Sequence, residues 1–358
     1  MPSPNTRSRA LASHFAAIVL LTGCAQAIAK PLPLRESLFF PAGRSIGFPE
    51  PAAFEFSIHV DSWRAAACAP HARNVFIVHG FGDNAGLFAP LASALVQSGK
   101  ACRVLAIDLP AHGGSVMSDD PAFGPRLAGE LGVADYAAVV DDVLARIEAA
   151  GIPLGTIVGH STGGLIVQRL QADYARTGAS LRTRLGIDRT LLIASDLPRA
   201  LTWGAGDAPI QAGLAKGLVV NLAQSAPPPF GTRVFLDYGT YLALKFSANG
   251  VPVADAPDPN AAKLINDPEP YAAAANIVGL DPTGITTNTV PRLSIPPNLW
   301  STDALTVIWP DKDLFFLKSE MDALAGYLKP GTEAVVISDD EAVHGIVYTR
   351  PLLLLPYF

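Results

Sequence analysis

Three observations predict an α/β fold, a mostly parallel central sheet with helices on both faces and an inserted cap. Short apolar runs without alternation are each followed by a helix-length amphipathic segment, a proline-rich stretch interrupts this rhythm, and the rhythm then returns. Composition agrees, since 358 residues with 49% hydrophobic and 16% charged side chains fit one large domain carrying an insertion. The net charge of −6 is scattered without long blocks of one sign, so no nucleic-acid partner is expected, phosphate binding needing a basic surface.

Residues 1–23 carry Arg7 and Arg9, no acid, and an apolar run from Phe15 to Leu21, the layout of a secretory signal. The run is too short to span a bilayer. Leu21-Thr22-Gly23-Cys24 resembles the bacterial lipobox, which implies lipidation of Cys24 and a membrane-anchored protein of the cell envelope. Cleavage at Ala25-Gln26-Ala27 or Ala27-Ile28-Ala29, leaving a soluble periplasmic or secreted protein, is the alternative. Replacing Cys24 by serine is expected to release the protein from the membrane fraction; an unchanged fraction would refute the anchor. With Cys24 used or removed, Cys68 and Cys102 remain, an even number that points to a disulfide in an oxidising compartment.

Residues 24–52 read as a linker. Phe54 to Val60 alternates and predicts a strand of an antiparallel hairpin opening the domain. Strands are then expected at Val75–Val78, Val104–Ile107, Thr156–Val158 and Thr190–Ala194. The intervening helices over 86–98, 134–150 and 162–176 show apolar residues at helical spacing, as in Val139, Val140, Val143, Leu144 and Ile147. This first part of the core runs over 53–195. Residues 196–300 hold 14 of the 31 prolines and read as a cap insertion; 301–358 completes the core with a strand at 305–309, a helix near 317–328 and a strand at 333–337.

In such sheets chemistry gathers at the carboxyl ends of the strands. Gly159-His160-Ser161-Thr162-Gly163-Gly164 follows a strand and opens a helix, the setting in which a G-x-S-x-G turn presents a bare hydroxyl at the positive end of a helix. Ser161 is therefore the expected nucleophile. A serine needs a base, and His344 is the single histidine after Ser161, in the loop Asp339–Gly345. The base needs a carboxylate. Asp313 fits best, on the loop after strand 305–309, with Asp311 and Asp196 as alternatives. His79-Gly80-Phe81-Gly82, at the end of strand 75–78, offers main-chain donors for an oxyanion, expected from the amides of Phe81 and Thr162. His160 is expected to be structural.

These motifs, together with Asp108-Leu109-Pro110-Ala111-His112-Gly113-Gly114-Ser115, resemble the α/β-hydrolase superfamily, in its lysophospholipase-like and monoglyceride-lipase-like branch. Pro310 stands where that family's acid loop usually has glycine. The resemblance implies an α/β-hydrolase fold, structural roles for Asp108 and His112, and a serine esterase cleaving carboxylic esters of lipid or fatty-acyl type through an acyl-enzyme. No histidine, cysteine and carboxylate set has metal-ligand spacing, so neither metal nor cofactor is expected. The rivals are a peptide or amide hydrolase with the same triad and a non-catalytic envelope binding protein. An acidic anchor for a substrate amino terminus among Asp207, Asp237, Asp255, Asp258, Asp267 and Glu269 would favour the peptidase.

Overall fold

The sheet starts with a long hairpin. In the computed structural model, which describes residues 32–47, 51–68, 72–115, 131–201, 218–221, 232–270, 272–274 and 293–358, β1 (Leu34–Gly47) and β2 (Pro51–Arg64) pair antiparallel from Leu34↔Arg64 to Gly47↔Pro51. Over 34–47 and from 51 onward, this corrects the linker expected over 24–52. Its strand signal is a period of two, with Glu36, Leu38 and Phe40 half-buried and Arg35, Ser37 and Phe39 exposed. Pro41 disguises it. Proline is tolerated there because β1 is the outermost strand of the sheet and one of its sides needs no ladder partner. The segment 1–23 and Cys24 lie outside the described residues.

The strands β3 (Arg73–Val78), β4 (Ala101–Ile107), β5 (Leu154–His160) and β6 (Arg189–Ile193) follow. Between them come α1 (Ala89–Ser98), α2 (Val133–Ala149), α3 (Thr162–Ala175) and α4 (Leu181–Leu185). Within residues 196–300, read in the sequence as an insertion, come β7 (Leu218–Asn221), β8 (Thr232–Phe235), α5 (Tyr238–Lys245), β9 (Ser247–Ala248), β10 (Val251–Pro252), α6 (Pro259–Ile265) and β11 (Glu269–Pro270). β12 (Ala304–Pro310), α7 (Lys318–Leu328), β13 (Val335–Ile337) and α8 (Ile346–Thr349) close the chain's regular structure. The eight-stranded sheet has the order β1-β2-β4-β3-β5-β6-β12-β13, with β4 through β13 mutually parallel. β6 and β12 are parallel neighbours, Ala304 opposite Arg189, so residues 194–303 form the crossover between them.

Continuous apolar runs suit these strands because both faces are covered. Phe76 and Val78 of β3 face a core shared with α2, α3 and α7, whereas Val75 and Ile77 face a second core shared with α1 and α8. Cys68, just beyond β2, is bonded to Cys102 of β4 with their Cα atoms 4.9 Å apart, which fastens the β2–β3 connection to the sheet.

Candidate active site

Ser161 sits between β5 and α3 with φ 54° and ψ −124°, a conformation that costs a non-glycine residue about 1–3 kcal/mol and persists only when its surroundings enforce it. Here the surroundings are backbone. Ser161 N donates to Ile193 O at 3.0 Å, and Ser161 O accepts from Gly164 N at 2.8 Å and Asp196 N at 3.1 Å. A Cβ on Gly163 would lie 2.6 Å from the His79 carbonyl oxygen, and one on Gly80 2.7 Å from the Ser161 Cβ, so the turn after β3 packs directly on the serine. Thr162 is the first residue of α3. Its N–H belongs to the first turn, which has no intrahelical acceptor and carries the positive end of the helix dipole.

His344 and Asp313 meet as a buried pair. His344 Nδ1 lies 3.0 Å from Asp313 Oδ2, with side-chain exposures of 1% and 0%. The other Asp313 oxygen accepts from Phe315 N at 2.7 Å, so the carboxylate is held in one orientation. His344 Nε2 is buried without a hydrogen-bond partner among the described residues. The Phe315 ring lies 4.2 Å from the His344 ring, an apolar wall the sequence did not single out. The other two carboxylate candidates are held elsewhere. Asp196 Oδ2 accepts from Thr162 Oγ1 at 2.7 Å, and Asp311 accepts from Lys312 Nζ at 3.1 Å. Among the three, Asp313 is the one bonded to the imidazole.

The His160 side chain is buried, and its Nε2 donates to the His344 carbonyl at 2.8 Å. Burial, followed by the nearby His344, pulls its pKa down to about 3, so it is neutral. Since His160 adjoins Ser161, that bond ties the base loop to the serine turn. Asp108 accepts from Ala85 N, Gly114 N and His59 Nδ1 and binds the loop after β4 to the hairpin.

Glu269 of β11 is buried against the same loops. Its carboxylate accepts from Gly82 N at 2.9 Å and Tyr136 Oη at 2.9 Å and faces His112 Nε2 at 3.2 Å. Burial pushes this carboxyl up, but His112, Gly82 N–H and Tyr136 together bring it below its ordinary value. Burial likewise lowers the His112 imidazole, and Glu269 outweighs it, leaving it raised. The lowered carboxyl contributes stability that is lost as pH falls through its folded pKa; the raised imidazole contributes stability lost as pH rises through its own. This pair's own contribution to stability is therefore greatest between the ordinary glutamate and histidine ranges and is lost as pH rises through the raised His112 value. His112→Gln should flatten this alkaline loss in melts taken across that rise, and an unchanged slope would exclude the pair.

The family's sequence profile, described as the alpha/beta hydrolase family, matches residues 75–338. The chain belongs to the α/β hydrolase family. Two solved structures share the fold. A carboxylesterase from Bacillus subtilis aligns over 90% of both chains with a TM-score of 0.52 and 15% identity. The naproxen esterase of Bacillus subtilis aligns over 92% of this chain and 91% of its own, with a TM-score of 0.51 and 14% identity. A serine hydrolase-like protein of Danio rerio is 36% identical over 104 residues, 29% of this chain and 28% of its own length, so the chain spans just over a quarter of that relative. Among the described residues no group of three histidine, cysteine or carboxylate side chains could hold a metal ion.

Proposed function

We propose that this α/β hydrolase cleaves carboxylic esters through an acyl-enzyme on Ser161. The observation that carries the reading is the buried His344–Asp313 pair, tied through His160 to a serine held at φ 54° on a strand-to-helix turn. Ser161 Oγ attacks the ester carbonyl and His344 Nε2 takes its proton. Asp313 fixes the proton on Nδ1 and stabilises the imidazolium. The Phe81 and Thr162 amides receive the oxyanion, and His344 returns the proton to the leaving alcohol; water then repeats the sequence on the acyl-enzyme.

The ester reading is preferred to the peptidase because the insertion's acids are already engaged. Asp237 and Asp258 cap α5 and α6, Asp255 pairs with Arg350, Asp267 accepts from Asn84 and Gly113, and Glu269 is held as described. Asp207 lies outside the described residues. A lipid or fatty-acyl substrate, a capping role for the insertion and an envelope location on a Cys24 anchor belong to this reading and rest on the sequence. The test is hydrolysis of p-nitrophenyl esters from acetate to palmitate by the purified protein, with fluorophosphonate labelling of Ser161. A maximum at longer chains supports the fatty-acyl assignment. Folded protein with neither turnover nor labelling would leave the binding-protein reading in its place.

A further inference from the structure

The turn that presents the Phe81 amide is held at two successive peptides. Residues 80–83 form a β-turn closed by Asp83 N donating to Gly80 O at 3.2 Å. Gly82 has φ +64° while Phe81 is not in the left-handed region, which makes the turn type II. The peptide before Phe81 is fixed because Gly80 O also accepts from His79 Nδ1 at 2.9 Å. A trans peptide then aims the Phe81 N–H the opposite way. The central peptide, Phe81–Gly82, is the one whose flip would convert the turn to type I. It is gripped at both ends by buried charges from the insertion: Lys245 Nζ donates to Phe81 O, and Glu269 accepts from Gly82 N at 2.9 Å.

Lys245 is 2% exposed and ends α5; its ammonium also binds Asp83 Oδ1 at 2.6 Å, an oxygen shared with Tyr241 Oη at 3.0 Å. A buried ion pair is a poor source of stability, because desolving two charges offsets their attraction. Its geometric effect is specific. The same residue's carbonyl accepts from Gly345 N at 2.8 Å, directly after His344, so one lysine touches both the oxyanion turn and the base loop.

We propose that Lys245 and Glu269 are positioning residues that lock the Phe81–Gly82 peptide, so that the insertion sets the geometry of the oxyanion turn. Lys245 extends this hold to the His344 loop. This rests on the esterase reading above and adds to it that the insertion is part of the catalytic geometry as well as a cover. Without the lock the Phe81–Gly82 peptide would be free to flip; the Phe81 N–H belongs to the preceding peptide, which His79 Nδ1 holds at Gly80 O, so the flip would loosen the Phe81 backbone beside that donor rather than turn the donor itself.

The test is Lys245→Met combined with Asp83→Asn, which removes the ammonium without leaving an unpaired carboxylate. Per active site, counted by exhaustive fluorophosphonate titration, kcat is expected to fall about tenfold, short of the roughly 10²–10³-fold of losing an oxyanion donor outright, with KM within about threefold. Binding of a trifluoromethyl ketone that mimics the tetrahedral intermediate should weaken by the same factor, and binding of a non-hydrolysable ether analogue of the substrate should not. Asp83→Asn alone, which leaves the Lys245–Phe81 bond, should lose less. If the double variant does not fold, Lys245→Gln with Asp83→Asn keeps a shorter donor and should show an intermediate loss. Wild-type kcat per site and wild-type ketone affinity in the folded variant would overturn the proposal. A wild-type protein that hydrolyses no ester would remove the esterase reading, and the lock with it, before any variant is compared.

Discussion

Ser161→Ala is expected to lower kcat for p-nitrophenyl esters by about 10⁵–10⁶-fold while leaving KM near the wild-type value. The loss is large because the hydroxyl supplies the bond-forming atom, and what remains is the oxyanion donors acting on attack by water. Folding should survive the change. The turn is enforced by Ser161 main-chain bonds to Ile193, Gly164 and Asp196, which alanine retains, and alanine meets the same positive φ that serine already tolerates. Residual turnover above about 1% in a folded variant would place the nucleophile elsewhere and would also undo the esterase mechanism.

Asp313→Asn should cost about 10⁴-fold in kcat with KM little changed. The Asp313 oxygen facing His344 Nδ1 accepts its hydrogen, and an asparagine amide turned toward that nitrogen donates instead. The imidazole proton is then driven to Nε2, where it blocks removal of the serine proton. Asp196→Asn keeps an amide oxygen that can still accept from Thr162 Oγ1 and only exchanges a charged acceptor for a neutral one, about 1 kcal/mol at most, so a loss of no more than about fivefold is expected. Measured side by side, the pair separates the two carboxylates. A larger loss in Asp196→Asn than in Asp313→Asn would reverse their roles.

Much of this was legible locally. The parallel strands announced themselves as apolar runs because both faces are buried, and the serine turn because glycines and a short strand surround it in sequence. The acid was narrowed to Asp313, Asp311 and Asp196 by chain order, but only the approach of β12 to the 339–345 loop brings one of them to the imidazole. β1 was missed because Pro41 and the exposed Phe39 hide an alternation that an edge strand tolerates. Lys245 and Glu269 were illegible as positioning residues. A lysine ending a helix and a glutamate in a two-residue strand look like ordinary surface residues until the insertion folds back and buries them.

The crossover through residues 194–303 leaves β6 at one end of the sheet and enters the adjacent β12 at the other, because the two strands are parallel. Its endpoints are therefore a full strand length apart. Excising the insertion and sealing the gap with a tight turn is geometrically forbidden, since parallel neighbours need at least about a dozen connecting residues. Trp300 Nε1 donating to Thr190 Oγ1, and Gln171 donating to the Leu299 carbonyl, mark where the returning chain is already stitched to the core. A shortened version of this chain would keep that final stretch and bridge to it from Ala194, and in doing so would give up Lys245 and Glu269 and with them the hold on the oxyanion turn.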